Sequence, residues 1–278
     1  MPLVEPIDLH HQGPRVIGVY LVETTDGLAL IDCGPASTLE TLRAGLRERG
    51  HELTDLRHLL LTHIHLDHAG ATGTIVREHP GLQVHVSPIG APHLIEPARL
   101  EASARRIYGK LFDPLWGELA PVPEENVRVA GDLLDAFPTP GHASHHVSYV
   151  HEGTVYTGDA AGVRIMPDRH VMPVSPPPDI DVEAWNASID AIEARGAERL
   201  ALIHFGVVDE PADHLARLRE QLANWAERVR SGMSAEEFAA AGRADMAEDA
   251  GDADHYQRAA PFESSYAGLK RYWDKRAR

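Results

Sequence analysis

Cysteine is nearly absent from this 278-residue chain. Cys33 stands alone, so no intrachain disulfide can form, which fits a reducing compartment. Long apolar runs are missing too, which excludes a stretch able to cross a bilayer. The opening MPLVEPIDLHHQG has no basic region followed by an apolar core, the mark of a secretory signal. Basic charge is scarce: 26 Lys and Arg face 42 Asp and Glu, giving a net charge of −16. An acidic chain is poorly matched to nucleic acid or to anionic membrane surfaces. The expectation is a cytoplasmic protein acting on a small-molecule substrate, with neither nucleic acid nor membrane as partner. The length is enough to bury a large core, and a 43% hydrophobic, 24% charged composition is ordinary for a globular chain.

What the sequence has in quantity is histidine, 18 in all, and the histidines cluster. Residues 62–70 read THIHLDHAG, directly after the apolar run Leu59-Leu60-Leu61. That run predicts a buried strand over 57–61. Strands are also predicted at 16–22 and 28–32, joined by an Asp26-Gly27 turn, and at 83–86. A helix should start at Ser37, with Ser37 and Glu40 at capping-box spacing, and end at Gly50. Residues 70–79 read weakly as a short helix. The segment 87–125 is irregular, proline-containing and helical near 97–111; it reads as an insertion on the substrate side. Strands return over 126–137, 147–150, 154–157 and 199–203, with a helix over 181–195 before the last. An internal echo joins YLVETTDGLALID to SYVHEGTVYTGD: strand, acidic-Gly turn, strand, aspartate.

From Pro211 to about residue 230, Leu215, Leu218, Leu222, Trp225 and Val229 form one apolar stripe, fit for packing on the core or for a homodimer seam. A helix capped by Ser234 and Glu237 follows, then an acidic loop over 243–254. A last helix should dock through Tyr266, Leu269 and Trp273. Strands alternating with helices give the α/β class. The division expected is a catalytic domain over 1–210 and a helical C-terminal extension over 211–278, packed on the core.

Within residues 62–70, His63 and His65 sit two apart. In extended chain they share a face and can reach one metal ion. The chain then turns at Leu66, and Asp67 with His68 can approach a second. Imidazole and carboxylate suit Zn, with Fe or Mn as alternatives. Scattered surface histidines are the ordinary reading of such a cluster. Its place at a strand end, where α/β sheets build sites, favours the functional one. Further donors stand at comparable strand ends: His142 after TPG, Asp159 after TG, His204 after LALI.

The ordered set His63-Ile64-His65-Leu66-Asp67-His68, Gly141-His142, Gly158-Asp159 and His204 resembles the metallo-β-lactamase-fold metallo-hydrolases over about residues 16–206. The resemblance implies a four-layer αββα sandwich with two divalent metal ions at one edge of its sheets. It implies that His63, His65 and His142 hold the first ion, that Asp67, His68 and His204 hold the second, and that Asp159 bridges both. It implies a hydroxide shared by the ions as nucleophile, with Asp67 orienting it or carrying a proton. Asp32 corresponds to the family's buried aspartate near the metal loops and is expected, with His146, in the layer behind the ligands. Tyr108 and Trp116, in the insertion, are candidates for substrate contact, against ordinary packing.

Departures narrow the branch. No GCGR-like segment follows the bridging aspartate, as in hydrolases resembling glyoxalase II; the sequence is GDAAGVRI. Gly162 stands where related lactonases place a tyrosine. His65 argues against the flavin-linked oxygen reductases, and Leu66 against the RNA-processing members. Cys33 is not in the ligand set, unlike the cysteine of some lactam-cleaving members. The reading is a dinuclear hydrolase of an ester, thioester or lactone, in the glyoxalase II or lactonase-like branch. The alternatives are a mononuclear iron oxygenase resembling the persulfide dioxygenases and a non-catalytic metal-binding protein.

Overall fold

A computed structural model describes residues 5–247 and 249–277. The chain forms two compact units. One runs to Phe137 and includes Tyr149–His151; the other is Pro138–Ser148 with the chain from Glu152 onward.

The first unit is built on a six-stranded sheet. Its strands are β1 (Ile7–Asp8), β2 (Gly18–Thr24), β3 (Gly27–Ile31), β4 (Leu56–Leu60), β5 (Gln83–Val86) and β6 (Val127–Val129), in that spatial order. The β2–β3 pair is antiparallel, as the Asp26-Gly27 turn predicts, and β3, β4, β5 and β6 run parallel. Parallel neighbours need crossovers. Helix α1 (Leu39–Glu48) connects β3 to β4, while α2 (Leu66–Ala69) and α3 (Thr72–Glu78) connect β4 to β5. Leu30, Leu59, Leu60 and Val84 are fully buried, so the β-strand run ends deep in the core before the histidines begin.

The predicted cap of α1 is different in the structure. A 3-10 turn over Ala36–Thr38 precedes the helix, and the Ser37 hydroxyl donates to Leu115 O at 2.6 Å. Ser37 ties down the insertion, where α4 (Ala91–Ile95), α5 (Ala98–Tyr108) and α6 (Phe112–Trp116) are three short helices. The strand expected over 126–137 is two: β6, and β7 (Asp135–Pro138), separated by a turn with Gly131 at φ 106°.

The internal echo exists as a second hairpin, β8 (Val147–His151) and β9 (Thr154–Gly158). Helix α7 (Val182–Ala194) crosses from β9 to the parallel strand β10 (Arg199–Leu202). Its N-terminus is capped by Asp181, whose carboxylate accepts from Ala184 N. The short antiparallel β11 (Gly206–Val208) follows directly on His204, and the order is β11-β10-β9-β8-β7.

In the second unit, α8 (Pro211–Arg230) buries the stripe Leu215, Leu218, Leu222, Trp225 and Val229 in the chain's own packing. The Trp225 ring meets Phe238 at 5.0 Å and Phe262 at 5.7 Å, carried by α9 (Ala235–Met246) and α11 (Phe262–Arg276). Burying side chains of this size stabilises by roughly 2–3 kcal/mol each. Ser234 and Glu237 form the expected capping box of α9. The loop expected over 243–254 is shorter, because α9 continues to Met246 and α10 (Ala253–Ala259) starts at an Asp252 cap. On α11 the buried face is Phe262, Ser265, Gly268, Leu269 and Tyr272; Tyr266 and Trp273 lie at its margins, half-buried. The crossover helix α7 and the C-terminal helices α8, α9 and α11 thus belong to one unit. Among the described residues, no helix is long and apolar enough to cross a membrane.

Candidate metal centre

In the first unit the donor loop leaves β4 and turns where α2 begins at Leu66. His65 remains extended, at φ −63° and ψ 155°. The His63 ring lies 4.5 Å from that of His65 and 3.9 Å from that of His68. Three imidazoles this close must be held, and Asp32 holds the loop. Its Oδ1 accepts from Thr62 N at 2.8 Å, and its Oδ2 accepts from Thr62 Oγ1 and His68 Nδ1, each at 2.8 Å. Asp32 is buried and sits at φ 57°, a left-handed conformation that aspartate tolerates better than most residues. With Nδ1 committed, His68 presents Nε2, which lies 3.8 Å from Asp67 Oδ2. The backbone is pinned as well, since Cys33 N and Gly34 N both donate to His68 O. Cys33 itself is buried and its thiol is pushed up to about 12 by desolvation, so it serves packing and not chemistry.

In the second unit, Gly141 sits at φ 135° against α7; a Cβ there would run into the Trp185 backbone. The next residue, His142, donates from Nδ1 to Val174 O at 2.6 Å, which turns Nε2 the other way. That Nε2 lies 3.2 Å from Asp159 Oδ2, and His204 Nε2 lies 3.4 Å from Asp159 Oδ1. One buried carboxylate therefore turns each of its oxygens towards a different imidazole. His146 does other work: its Nε2 accepts from Asp159 N at 3.2 Å, which assigns the Nδ1–H to Thr139 Oγ1 at 2.8 Å. It props the backbone of Asp159. His145, next to His146 in the chain, is also buried.

The first unit carries His63, His65, Asp67 and His68 on one loop, and within the second unit His142 and His204 face the two oxygens of Asp159. This is a fit to divalent metal on chemical grounds. Every donor is imidazole nitrogen or carboxylate oxygen, and the His68 and His142 rings are locked through Nδ1 by an outer partner, as metal-ligating histidines usually are.

Tyr108 and Trp116 both pack against the cluster of Leu66, Ala104 and Phe112. Trp116 also stacks on His11 at 5.2 Å and meets Tyr108 at 5.0 Å. Leu66 opens α2, so the insertion is braced on the short helix that carries Asp67 and His68. The Tyr108 phenol is pushed up to about 12, chiefly by burial and then by the charge of Asp67.

Several supporting residues carry no motif. Trp185 donates to Ala160 O and His214 to Ala161 O, each at 2.8 Å, so both grip the chain just after Asp159. His214 is fully buried, and desolvation lowers its pKa to about 4, below the usual 6.5. A base with a depressed pKa binds fewer protons folded than unfolded between those values. Its contribution to stability is therefore present above pH 6.5 and lost as the pH falls towards 4. We expect His214→Gln to destabilise the metal-free protein at pH 7, and that deficit to shrink by about 2 kcal/mol at pH 5. Urea unfolding of both proteins at the two pH values checks this; an unchanged deficit would mean that His214 titrates normally.

The family model for the metallo-beta-lactamase superfamily matches residues 13–206. The chain belongs to that superfamily, whose fold it has, extended by C-terminal helices. It is 24% identical over 175 residues to the metallo-beta-lactamase fold-containing protein ST1585 of Sulfurisphaera tokodaii, an alignment that covers 59% of this chain and 63% of that one. The crystal structure of ST1585, from Sulfolobus tokodaii, superposes with a TM-score of 0.66 over 96% of this chain and 97% of the other, at 21% identity, a likeness of fold. TTHA1623, solved in a di-iron-bound form, gives a TM-score of 0.55 at 29% identity over 76% of this chain and 95% of its own. A hydroxyacylglutathione hydrolase of Vibrio campbellii is 32% identical over 143 residues, 51% of this chain and 45% of that one. The matched region thus spans less than two thirds of the curated relatives' length.

Proposed function

We propose that this protein is a hydrolase that holds two divalent metal ions and cleaves a small acyl compound, an ester, a thioester or a lactone. The observation that carries the reading is Asp159. Its two oxygens face two different imidazoles, those of His142 and His204. On this reading His63, His65 and His142 hold one ion, Asp67, His68 and His204 hold the other, and Asp159 is shared. Bound there, the ions supply Lewis acidity and a water acidic enough to be a nucleophile at neutral pH. The chain's own residues do the rest. Asp32 and Val174 O fix the rings of His68 and His142, and His146 holds the backbone of Asp159. Asp67 keeps about a fifth of its side chain exposed, 21%, and is the carboxylate able to take and release a proton. On this reading Tyr108, whose phenol stays protonated at neutral pH, is the candidate in the insertion to donate a hydrogen bond to substrate.

A thioester has support from the relative named hydroxyacylglutathione hydrolase, and a pair of ions from the relative solved in a di-iron form. The all-N/O ligand set accepts Zn, Fe or Mn, so availability decides which is loaded. The test is elemental analysis of protein purified without chelator or added metal, paired with turnover of ester, thioester and lactone panels. Two ions per chain are expected, with turnover lost on chelation and restored by re-addition. One iron per chain with O₂ consumption would overturn the reading.

A further inference from the structure

The C-terminal helix α11 lies on the segment that orients His142. That segment, Val174-Ser175-Pro176-Pro177-Pro178, has three consecutive prolines and so three positions without an N–H. It cannot hold itself by a backbone ladder, and its carbonyls must be met by donors from elsewhere. The first of them, Val174 O, takes the His142 Nδ1–H at 2.6 Å. The remainder is gripped by α11 at three points. Ser175 Oγ donates to Ser265 O at 3.4 Å. Gly268 lies so close that a Cβ would clash with Ser175 O and would stand 2.8 Å from Pro176 C and 3.0 Å from Pro177 N. Pro178 O accepts from Arg271 Nε at 3.3 Å and Lys275 Nζ at 3.1 Å. Beyond the prolines, Ser144 Oγ donates to Asp179 Oδ2 at 2.7 Å and Asp181 N donates to Gly141 O at 2.9 Å, which returns the segment to the His142 loop.

We infer that α11 is a positioning element for His142: Gly268, Arg271 and Lys275 set the proline segment, and through Val174 O they fix the orientation and tautomer of the imidazole. Helix α11 acts at one remove, on one histidine, through the carbonyl of Val174. The inference rests on the reading of His142 as a metal ligand. It accounts for a glycine inside a 15-residue helix, where glycine is unfavourable by about 1 kcal/mol relative to alanine. It also gives the C-terminal extension a task in the centre.

Gly268→Ala must push the proline segment outward. Zn²⁺ titration of the metal-free full-length chain against a chromophoric chelator reads the result. One of the two ions should bind about 10-fold or more weakly, the usual cost of disturbing a ligand's outer partner, while the other keeps its affinity. The double variant Arg271→Gln/Lys275→Gln lies on the surface and should move the same ion in the same direction by less. Ser265→Ala, which leaves the accepting carbonyl in place, should change neither. If Gly268→Ala folds and binds both ions as the wild type does, the inference is wrong. If it does not fold, unaltered binding by the double variant overturns it equally. The His142 Nδ1–H resonance in metal-free protein gives an independent reading: sharp in the wild type, broadened or shifted in the variants. Should the wild-type chain bind no Zn²⁺, the two-ion reading fails, and this resonance still decides whether α11 sets the His142 ring.

Discussion

Asp159→Ala should leave the protein without its shared ligand, and both ions should bind more weakly than in any variant of an outer partner. Those outer losses cost about 10- to 100-fold in affinity. A carboxylate that faces both His142 and His204 serves each ion at once, so its removal exceeds that range and abolishes hydrolysis at ordinary metal concentrations. The folding stability of the metal-free form should move the other way or stay level. Asp159 is 1% exposed, and a carboxylate buried without an ion is costly to desolvate. Loss of metal together with retained or raised apo-stability separates a ligand from a residue that merely packs. Elemental analysis, initial rates and urea unfolding of the apo-protein read the three quantities. A variant that keeps two ions and full rate would refute the bridging role.

Asp32→Ala should be the most destabilising single change near the centre. It strands three buried donors, Thr62 N, Thr62 Oγ1 and His68 Nδ1. Each unsatisfied donor costs about 1–3 kcal/mol, and alanine at φ 57° adds about 1 more, so a loss of roughly 3–5 kcal/mol is expected after relaxation. That is a large part of the 5–15 kcal/mol typical of a whole domain. Asp32→Asn separates structure from metal tuning. The amide keeps one acceptor oxygen and so retains part of the stability; with that oxygen on Thr62 N, its NH2 group faces Thr62 Oγ1 and His68 Nδ1 and can accept from neither. The ion held by His68 should then bind about 10- to 100-fold more weakly. Denaturant midpoints and metal affinity, measured on both variants, check the pair of effects. Wild-type stability in Asp32→Ala would show that the three bonds are replaced by water.

The segments that carry the candidate donors were legible because they follow strands, and strand ends are written in short apolar runs that stop abruptly. Leu59-Leu60-Leu61 before His63 and Leu200–Ile203 before His204 are such runs. The β2–β3 turn and the capping box of α9 were legible for a similar reason: a few adjacent residues satisfy each other's backbone groups. Ser37 failed as a cap because its hydroxyl found a distant carbonyl, Leu115 O, a partner 78 positions away that no local pattern announces. The strand β11 was missed because three residues carry too little periodicity to read.

What the sequence by itself determined is the chemistry available: four imidazoles and a carboxylate in two short segments, two further candidate donors at later strand ends, one thiol, and an acidic composition. What only the tertiary structure decided is which atom of a donor is presented and which is tied down behind it. His142 shows Nε2 because Val174 takes Nδ1; His68 shows Nε2 because Asp32 does; His146 turns to the backbone of Asp159 instead of outward. An imidazole has two nitrogens of nearly equal worth. The choice between them is made by a hydrogen bond to a group 32 or 36 residues away in the chain, so residue type and spacing alone cannot record it.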